Sequence, residues 1–348
     1  VGAIQALVEL GANVNTPMND GRTPVYIAAQ MGEADAIRAL FELGANVNTP
    51  SDNGNSPIII AVQEGCVGAI RVLTELGGNV NTPMNDGRTP VFIAAQSGQV
   101  GVIQTLAELG GNVNTPCDYG CTPLNIAAQM GEVDAIRALV ELGASIHTAE
   151  EDGVTIAHIA AQEGQVGVIR TLAELGANVH TPSEDGRTPI FMAAQEGKVG
   201  AIRVLVELGG NINYPMDDGR TTVFIAAQMG EADAIRALAE LGANVNTPSE
   251  DGCTPVVIAV QNGKVDAIKA LAELGANINT PLDDSRTPVF IAAQMGEVDV
   301  IRTLAELGAN VNTPQNDGCT PVCLAARMGE VDSIRALIGV RADIEVGS

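Results

Sequence analysis

The stretch from Met18 to Pro50 reads MNDGRTPVYIAAQMGEADAIRALFELGANVNTP, and it is the first of ten similar units that follow one another. Glycine marks a constant period, at Gly21, Gly54, Gly87, Gly120, Gly153, Gly186, Gly219, Gly252 and Gly318, with Ser285 in the remaining place. A fixed period of this length is the signature of a repeat architecture. We predict a partial repeat at 1–17, consisting of a second helix and its loop, and ten repeats over 18–348 in one continuous array.

Each unit begins with a turn and a short helix. Asn19-Asp20-Gly21 is a tight-turn signal, because glycine adopts positive φ without steric cost. Thr23 can cap a helix through its hydroxyl, and Pro24 suits the first helical position because its missing N–H would be unpaired there anyway. The first helix is expected to end at Gly32.

A second helix follows in the same unit. Glu33 and Asp35 favour its start, where acidic side chains interact well with the helix dipole, and Gly44 ends it. Helices this short are marginal in water on their own. Each must bury its apolar face against its partner helix and the neighbouring repeats, so the sequence predicts an all-α stack of helix–turn–helix units.

The units resemble the ankyrin repeat. Thr23-Pro24-Val25-Tyr26-Ile27-Ala28-Ala29 is similar to the T-P-L-H-x-A start of that family, and Gly44-Ala45-Asn46-Val47-Asn48 to its G-A-D-V-N end. The resemblance implies an ankyrin-repeat solenoid of antiparallel helix pairs joined by β-hairpin loops, with a curved shape. It also implies that hairpin tips and first helices form a concave face that binds a partner protein.

Two departures from the family pattern stand out. The family histidine, which normally joins hydrogen bonds between repeats, is present only as His158, and apolar packing is expected to replace it elsewhere. Thr155 and Thr221 are not followed by proline, so the helices that start there are expected to be slightly looser.

The resemblance places two rows of side chains on the concave face, one at the hairpin tips and one at the ends of the first helices. Methionine is adaptable and common on binding surfaces, and arginine and tyrosine often dominate interface energies. The candidate partner-binding residues are Arg22, Met31, Arg88, Tyr119, Met130, Arg187, Arg220, Met229, Arg286 and Met295.

The hairpins in the middle of the array differ most from the others. Cys117, Tyr119 and Cys121 replace the usual residues of one tip, and the next tip contains Glu150-Glu151-Asp152. Tyr119 is expected to be exposed, and it is the strongest single candidate for partner binding; ordinary sequence drift in one copy is the alternative.

The second helices carry regularly spaced charges. Arg38 and its equivalents are followed four residues later by Glu42 and its equivalents. Residues at this spacing are neighbours on one helix, so we expect them to pair on a solvated face.

Composition excludes several classes of partner and compartment. The formal net charge of −24 argues against nucleic acid and anionic membranes, and no apolar run of 18 residues predicts a membrane span. Cys121, Cys253 and Cys319 hold the same position in repeats that are not adjacent, too far apart in a stack to form disulfides. Free thiols are typical of a reducing compartment, so we expect a cytoplasmic protein.

The sequence contains no convincing catalytic, metal or cofactor site. His147 and His180 are one repeat apart, and the pairs Cys117/Cys121 and Cys319/Cys323 have no further ligands nearby. Asp217-Asp218-Gly219 offers too few oxygens for calcium. Three histidines and no Gly-rich phosphate loop predict neither an enzyme nor a cofactor-binding protein.

Alternative functions remain open. The chain could be a structural array that associates end to end, or a regulatory module of a larger protein, because its first residues lie inside a repeat. The divergent segment from Ile338 to Asp343, with Arg341, could be a C-terminal cap. Asn48 and its equivalents resemble hydroxylation targets, which would tune stability.

Overall fold

The computed structural model describes residues 2–147, 149 and 152–342. In these residues the secondary structure is helical: α1 (Gly2–Glu9), α2 (Pro24–Gln30), α3 (Ala34–Glu42), α4 (Pro57–Gln63), α5 (Val67–Glu75), α6 (Pro90–Gln96), α7 (Val100–Glu108), α8 (Pro123–Met130), α9 (Val133–Glu141), α10 (Ile156–Gln162), α11 (Val166–Glu174), α12 (Pro189–Gln195), α13 (Val199–Glu207), α14 (Thr222–Met229), α15 (Ala232–Glu240), α16 (Pro255–Gln261), α17 (Val265–Glu273), α18 (Pro288–Met295), α19 (Val298–Glu306), α20 (Pro321–Met328) and α21 (Val331–Gly339). The predictions for Glu150, Glu151 and Asp343 lie outside the described residues.

The chain divides into two compact units, Val1–Glu150 with Arg170–Ala177, and Glu151–Ile169 with Asn178–Ser348. Even-numbered helices are the first helices of the repeats, and odd-numbered helices are the second helices. In the first unit α2 packs on α4, α4 on α6 and α6 on α8, while α1 packs on α3, α3 on α5 and α5 on α7. The second unit repeats this arrangement, from α10 on α12 to α18 on α20 and from α13 on α15 to α19 on α21.

The predicted helix starts are confirmed. The Thr23 hydroxyl accepts a hydrogen bond from the backbone N–H of Tyr26 at 3.2 Å, and Pro24 is the first helical residue. Where proline is replaced, the Thr221 hydroxyl still caps α14, and the Thr222 hydroxyl donates to the Ile212 carbonyl at 2.8 Å. The helix therefore starts at the same register position with a different set of contacts.

Small and branched apolar side chains fill the core. Alanine is fully buried in the first helices, as at Ala94 and Ala95, and isoleucine and leucine are fully buried in the second helices, as at Ile103 and Leu106. Because the chain has only three tyrosines, five phenylalanines and no tryptophan, helices must approach closely to pack without voids. Alanine permits that approach.

Asparagine side chains join consecutive repeats at the ends of the second helices. The Asn81 amide donates to the Gly110 carbonyl at 3.0 Å, and its oxygen accepts from the Asn112 backbone N–H at 2.8 Å. The same arrangement joins Asn15 to the following repeat, and Asn213 in the second unit. These asparagines, together with Asn48, Asn114, Asn246 and Asn279, are called the asparagine ladder below.

Arginine and glutamate join the second helices, but not within one helix as predicted. Arg38 Nη2 lies 2.6 Å from Glu75 Oε2 of the next repeat, and Arg71 Nη2 lies 2.6 Å from Glu108 Oε2. The prediction of pairing with Glu42 and its equivalents is wrong, because the long guanidinium reaches across to the neighbouring helix. Pairs of this kind between repeats include Arg38–Glu75, Arg71–Glu108, Arg137–Glu174, Arg203–Glu240 and Arg236–Glu273.

Candidate interaction surface

The hairpin tips are closed by backbone hydrogen bonds. The Met18 N–H donates to the Arg22 carbonyl at 2.8 Å, and the Gly21 N–H to the Met18 carbonyl at 3.1 Å. Gly21 has φ +78°, which explains the periodic glycine, and Ser285 takes the same left-handed conformation with φ +66°. The predicted hairpins thus form as tight turns, and the described residues contain no extended sheet.

The predicted arginines of the tips are held by the aspartate two residues earlier. Arg22 Nε lies 2.7 Å from Asp20 Oδ2, and Arg88 Nε lies 2.7 Å from Asp86 Oδ2. Arg187, Arg220 and Arg286 make the same pair with Asp185, Asp218 and Asp284. Each arginine side chain is about one third exposed, so its orientation is fixed while part of it stays accessible.

In three of these pairs, those of Asp20, Asp185 and Asp284, the pKa of the carboxyl is lowered. Partial burial opposes ionisation of Asp185, but hydrogen bonds from Arg187 and Ser183 lower the pKa of this carboxyl to about 2. Loss of solvation also opposes ionisation of Asp20 and Asp284, and hydrogen bonds from the paired arginine again outweigh it and lower the pKa. These three tips therefore keep both charges at neutral pH.

The predicted methionines are exposed at the ends of the first helices. Met31, Met130, Met229 and Met295 range from 42% to 70% exposed. Each apolar side chain lies beside a first helix whose other apolar residues are mostly buried. The exposure of this row is confirmed, and its use in binding stays a prediction.

Tyr119 is 87% exposed at its hairpin tip, as predicted, whereas Cys117 beside it is buried. The Cys117 N–H donates to the Cys121 carbonyl at 2.9 Å, which closes this turn like the others. The unusual residues therefore change the surface of the tip and leave its backbone intact.

Neighbouring tips are connected along the backbone. The Asp52 N–H donates to the Asp20 carbonyl at 3.1 Å, and the Asp118 N–H to the Asp86 carbonyl at 3.1 Å. In the second unit the N–H groups of Glu184 and Glu250 donate to the preceding tip in the same way. These four bonds recur at every second repeat and order the tips relative to one another within each unit.

His158 is a core residue, as predicted. Its Nδ1 accepts from the Thr155 N–H at 3.1 Å, which leaves the proton on Nε2 to donate to the Arg187 carbonyl of the next repeat at 2.9 Å. Burial lowers the pKa of this imidazole, so it is neutral at pH 7. His158 thus joins two repeats and also replaces the proline-assisted start of α10.

The structure divides the candidate residues between the two units. Arg22, Met31, Arg88, Tyr119 and Met130 lie in the first, and Arg187, Arg220, Met229, Arg286 and Met295 lie in the second. Arg22 and Met31 line one groove, which sequence reasoning missed. Arg286 borders a recess of about 300 Å³ that also contains Asp251, Asp283 and Gln261.

The structure also places the residues considered for chemistry. None of the six cysteines is in a disulfide, and burial raises the pKa of the Cys253 thiol to about 11 and raises that of Cys319. Within residues 2–147, 149 and 152–342, no group of three or more His, Cys, Asp or Glu side chains is arranged to hold a metal ion. In the same part of the chain, no helix has the length and apolar character to span a bilayer.

Comparisons with known proteins agree with this architecture. The family model described as "Ankyrin repeats (3 copies)" matches residues 1–84, 76–150, 145–216, 211–281 and 274–347. A comparison with curated proteins finds no match. The crystal structure of the human ASB11 ankyrin repeat domain is similar, with 27% sequence identity and a TM-score of 0.56, covering 64% of this chain and 100% of that one. The chain therefore belongs to the ankyrin repeat family, as an all-α ankyrin-repeat solenoid of a kind that mediates protein–protein interactions.

Proposed function

We propose that this chain is a scaffold or adaptor that binds a partner protein through its hairpin tips and the ends of its first helices. This surface, called the candidate face below, consists in each unit of the five residues predicted there from the sequence. Two observations carry the proposal: the methionines at the ends of the first helices are exposed, and the arginines of the tips are already oriented by aspartate.

The methionines and the arginines of the candidate face have complementary physical properties. Methionine supplies apolar area that adapts to different partner shapes. The paired arginines lose little further side-chain entropy on binding, because Asp86 and its equivalents already restrict them. A partner segment can therefore bury apolar groups between side chains that need little rearrangement.

The charge of the tips indicates the character of the partner segment. Each arginine is balanced by its own aspartate, whereas neighbouring acids such as Asp52, Asp118 and Glu250 are exposed. The tips therefore keep a net negative charge, and we expect the bound segment to be basic.

Other parts of the proposal concern chemistry and compartment. We infer that the chain acts without catalysis, metal or cofactor, in keeping with a family of interaction scaffolds. Six cysteines outside disulfides support a reducing, cytoplasmic setting. Association through the solenoid ends, and a regulatory role within a larger chain, remain alternative functions.

Cross-linking mass spectrometry on complexes isolated from a native extract tests the proposal. We expect cross-links from a foreign protein to the hairpin tips near Arg88, Tyr119 and Arg187. Cross-links only between first and last repeats of separate copies would support the structural array instead.

Matched variants make the test specific to the surface. Combined substitution of Met130, Met229 and Met295 by alanine should release the captured partner, because all three side chains are exposed and their loss leaves the core unchanged. Substitution of Arg38, Arg71 and Arg203 by alanine, on the second helices, should retain it. Retention by the first variant and loss by the second would contradict binding at the candidate face.

A further inference from the structure

The recess of about 300 Å³ bordered by Arg286 is formed where two consecutive repeats of the second unit meet. Asp251 and Cys253 line it from one hairpin tip, and Asp284 and Arg286 line it from the next. Gln261, at the end of α16, also contributes to the lining. The recess therefore combines charged and polar side chains from two tips and a first helix.

The tip at Cys253 lacks the arginine that other tips contain. In five tips an aspartate is followed two residues later by an arginine, and the two side chains form an ion pair. Cys253 holds the arginine position after Asp251, and its short side chain is buried. Asp251 thus keeps the carboxylate of this arrangement, but the sequence supplies no guanidinium from the usual position.

The next repeat shows how the arginine of a tip is held. Arg286 Nε donates to Asp284 Oδ2 at 2.6 Å, and Arg286 Nη1 donates to Gln294 Oε1 at 3.1 Å. Asp251 and Gln261 hold the equivalent positions one repeat earlier, and both line the recess. The recess therefore presents the same two kinds of acceptor that bind a guanidinium in the following repeat.

Another tip with cysteine at this position receives an arginine from elsewhere in the chain. Cys319 holds the same repeat position as Cys253, and Arg327 holds the position of Gln261. Arg327 Nη1 lies 4.0 Å from Cys319 Sγ. A guanidinium that does not originate from the tip itself is thus accommodated beside a cysteine of this kind.

The charges of the recess favour a cation. The carboxylates of Asp251, Asp283 and Asp284 line it. Arg286 balances only Asp284, with which it is paired. A hydrogen bond from the Ser249 hydroxyl, with further hydrogen bonds from the backbone, lowers the pKa of Asp251, so this carboxylate is ionised at neutral pH.

The remaining lining is apolar and suits the stem of a long side chain. Phe224, Ile258 and Leu282 contribute apolar side chains. The methylene groups of arginine pack on such surface while the charged head contacts polar groups. Arginine also presents a planar fork of several donors, which matches two separate acceptors better than the single ammonium of lysine.

We propose that this recess binds an arginine side chain of the partner protein. The guanidinium lies between Asp251 and Gln261, in the arrangement that Arg286 shows one repeat later. This inference rests on the proposed function, because it identifies one anchor residue within the basic segment expected at the candidate face.

Titration of the full chain with a blocked arginine, N-acetylarginine methylamide, tests the recess without a partner. We expect NMR shifts of the Asp251 and Cys253 backbone amides and of the Gln261 side-chain amide. The corresponding citrulline compound has a similar shape and no charge. It should bind at least about tenfold more weakly, because charge-assisted hydrogen bonds are the stronger ones.

Matched variants locate the binding. Asp251→Asn should weaken binding of the blocked arginine by about tenfold, whereas Asp52→Asn, at an exposed carboxylate of the first unit, should leave it unchanged. Cys253→Arg places an arginine of the chain itself in the recess and should abolish binding. Cys253→Ser keeps the recess open and should retain it.

Three results would overturn the inference. The first is no shift of these amides on addition of the blocked arginine. The second is equal affinity for the arginine and citrulline compounds. The third is binding that neither Asp251→Asn nor Cys253→Arg reduces, because the arginine would then bind elsewhere.

Capture of the partner from a native extract separates this inference from the proposed function. We expect Cys253→Arg to capture less partner than the wild type, and Cys253→Ser to capture as much. Equal capture by all three, with cross-links to the hairpin tips, would overturn the arginine anchor and leave the proposed function intact. Arginine binding in the recess without any cross-link from a foreign protein to the tips would overturn the proposed function instead.

Discussion

Consecutive repeats are joined differently at their first helices and at their second helices. The contact between first helices is apolar and buried, as at Ile93 and Ala94, whereas the contact between second helices includes half-exposed ion pairs such as Arg71–Glu108. Burial removes apolar area from water, while an exposed ion pair is screened by solvent. Most of the free energy of folding therefore comes from the buried contacts. Exposed side chains can differ between repeats, and so serve binding, at little cost in stability.

The largest expected effect on stability comes from truncating a buried leucine near the end of α9, compared with an exposed leucine just after it. Leu139 is fully buried at the end of α9, and Leu142, three residues later, is 38% exposed. Leu139→Ala should lower the free energy of unfolding by about 2–5 kcal/mol, through lost burial and the cavity left behind. Leu142→Ala, the matched control, should change it by less than about 1 kcal/mol. Urea denaturation measures both, and equal losses would contradict the comparison.

The asparagine ladder should have an intermediate effect. Asn81→Ala removes one donor and one acceptor that join two repeats, and it leaves a backbone carbonyl and a backbone N–H without these partners. We expect a loss of about 1–2 kcal/mol by thermal or urea denaturation. Asn53→Ala, at an exposed hairpin position, is the control and should be close to neutral. A neutral Asn81→Ala would show that water replaces the ladder without cost.

His158 should make stability depend on pH. Burial lowers the pKa of the folded imidazole below its ordinary value of 6.5, so the unfolded chain binds the proton first. Stability is therefore fully present above pH 6.5 and falls as the pH drops from 6.5 through the lowered folded pKa. The measurement is the free energy of unfolding against pH for the wild type and for His158→Phe, the residue type at Phe191.

The wild type and His158→Phe contain the same carboxylates. The difference between their free energies of unfolding at each pH therefore reports the ionisation of His158. The wild type should lose stability relative to His158→Phe as the pH falls below 6.5. Parallel curves over this range would show that the buried imidazole does not control the pH dependence.

The smallest expected effect is the coupling energy between Arg71 and its partner glutamate. Its size distinguishes Glu108 of the next repeat from Glu75 of the same helix. Both groups of the Arg71–Glu108 pair are about half exposed, so a double-mutant cycle with alanine should give a coupling of about 0.2–1 kcal/mol. The cycle for Arg71 and Glu75 within one helix should give less. A stronger coupling to Glu75 would restore the pairing predicted from sequence.

Local features were predictable because their causes are local. Gly21 and its equivalents, the Thr23 cap and the end of α3 before Gly44 each follow from the conformational limits of one or two residues. These residues recur in most of the ten units, so the same local prediction applies in each of those units. The exposure of Tyr119 and of the methionines followed from their places in the unit.

Contacts between repeats were harder to predict. The i,i+4 rule considers one helix, so it missed that Arg38 reaches Glu75, 37 residues away. Asn15 and Asn81 are equivalent to Asn48, which the sequence suggested only as a hydroxylation target, although their amides join successive repeats. The groove lined by Ile27 combines residues of α1, α2 and α3 that lie apart in the sequence, which the reading of a single repeat does not reveal.

The asparagine ladder has a mechanical consequence. Its bonds join positions 29 and 31 residues apart, so each one spans a single junction between repeats. A force that stretches the chain from its ends loads these junctions in series, so every junction carries the same force and the weakest one ruptures first. Each rupture would release one repeat, which is about 110–120 Å of extended chain. A single-molecule extension trace of this protein should therefore show evenly spaced steps of that length.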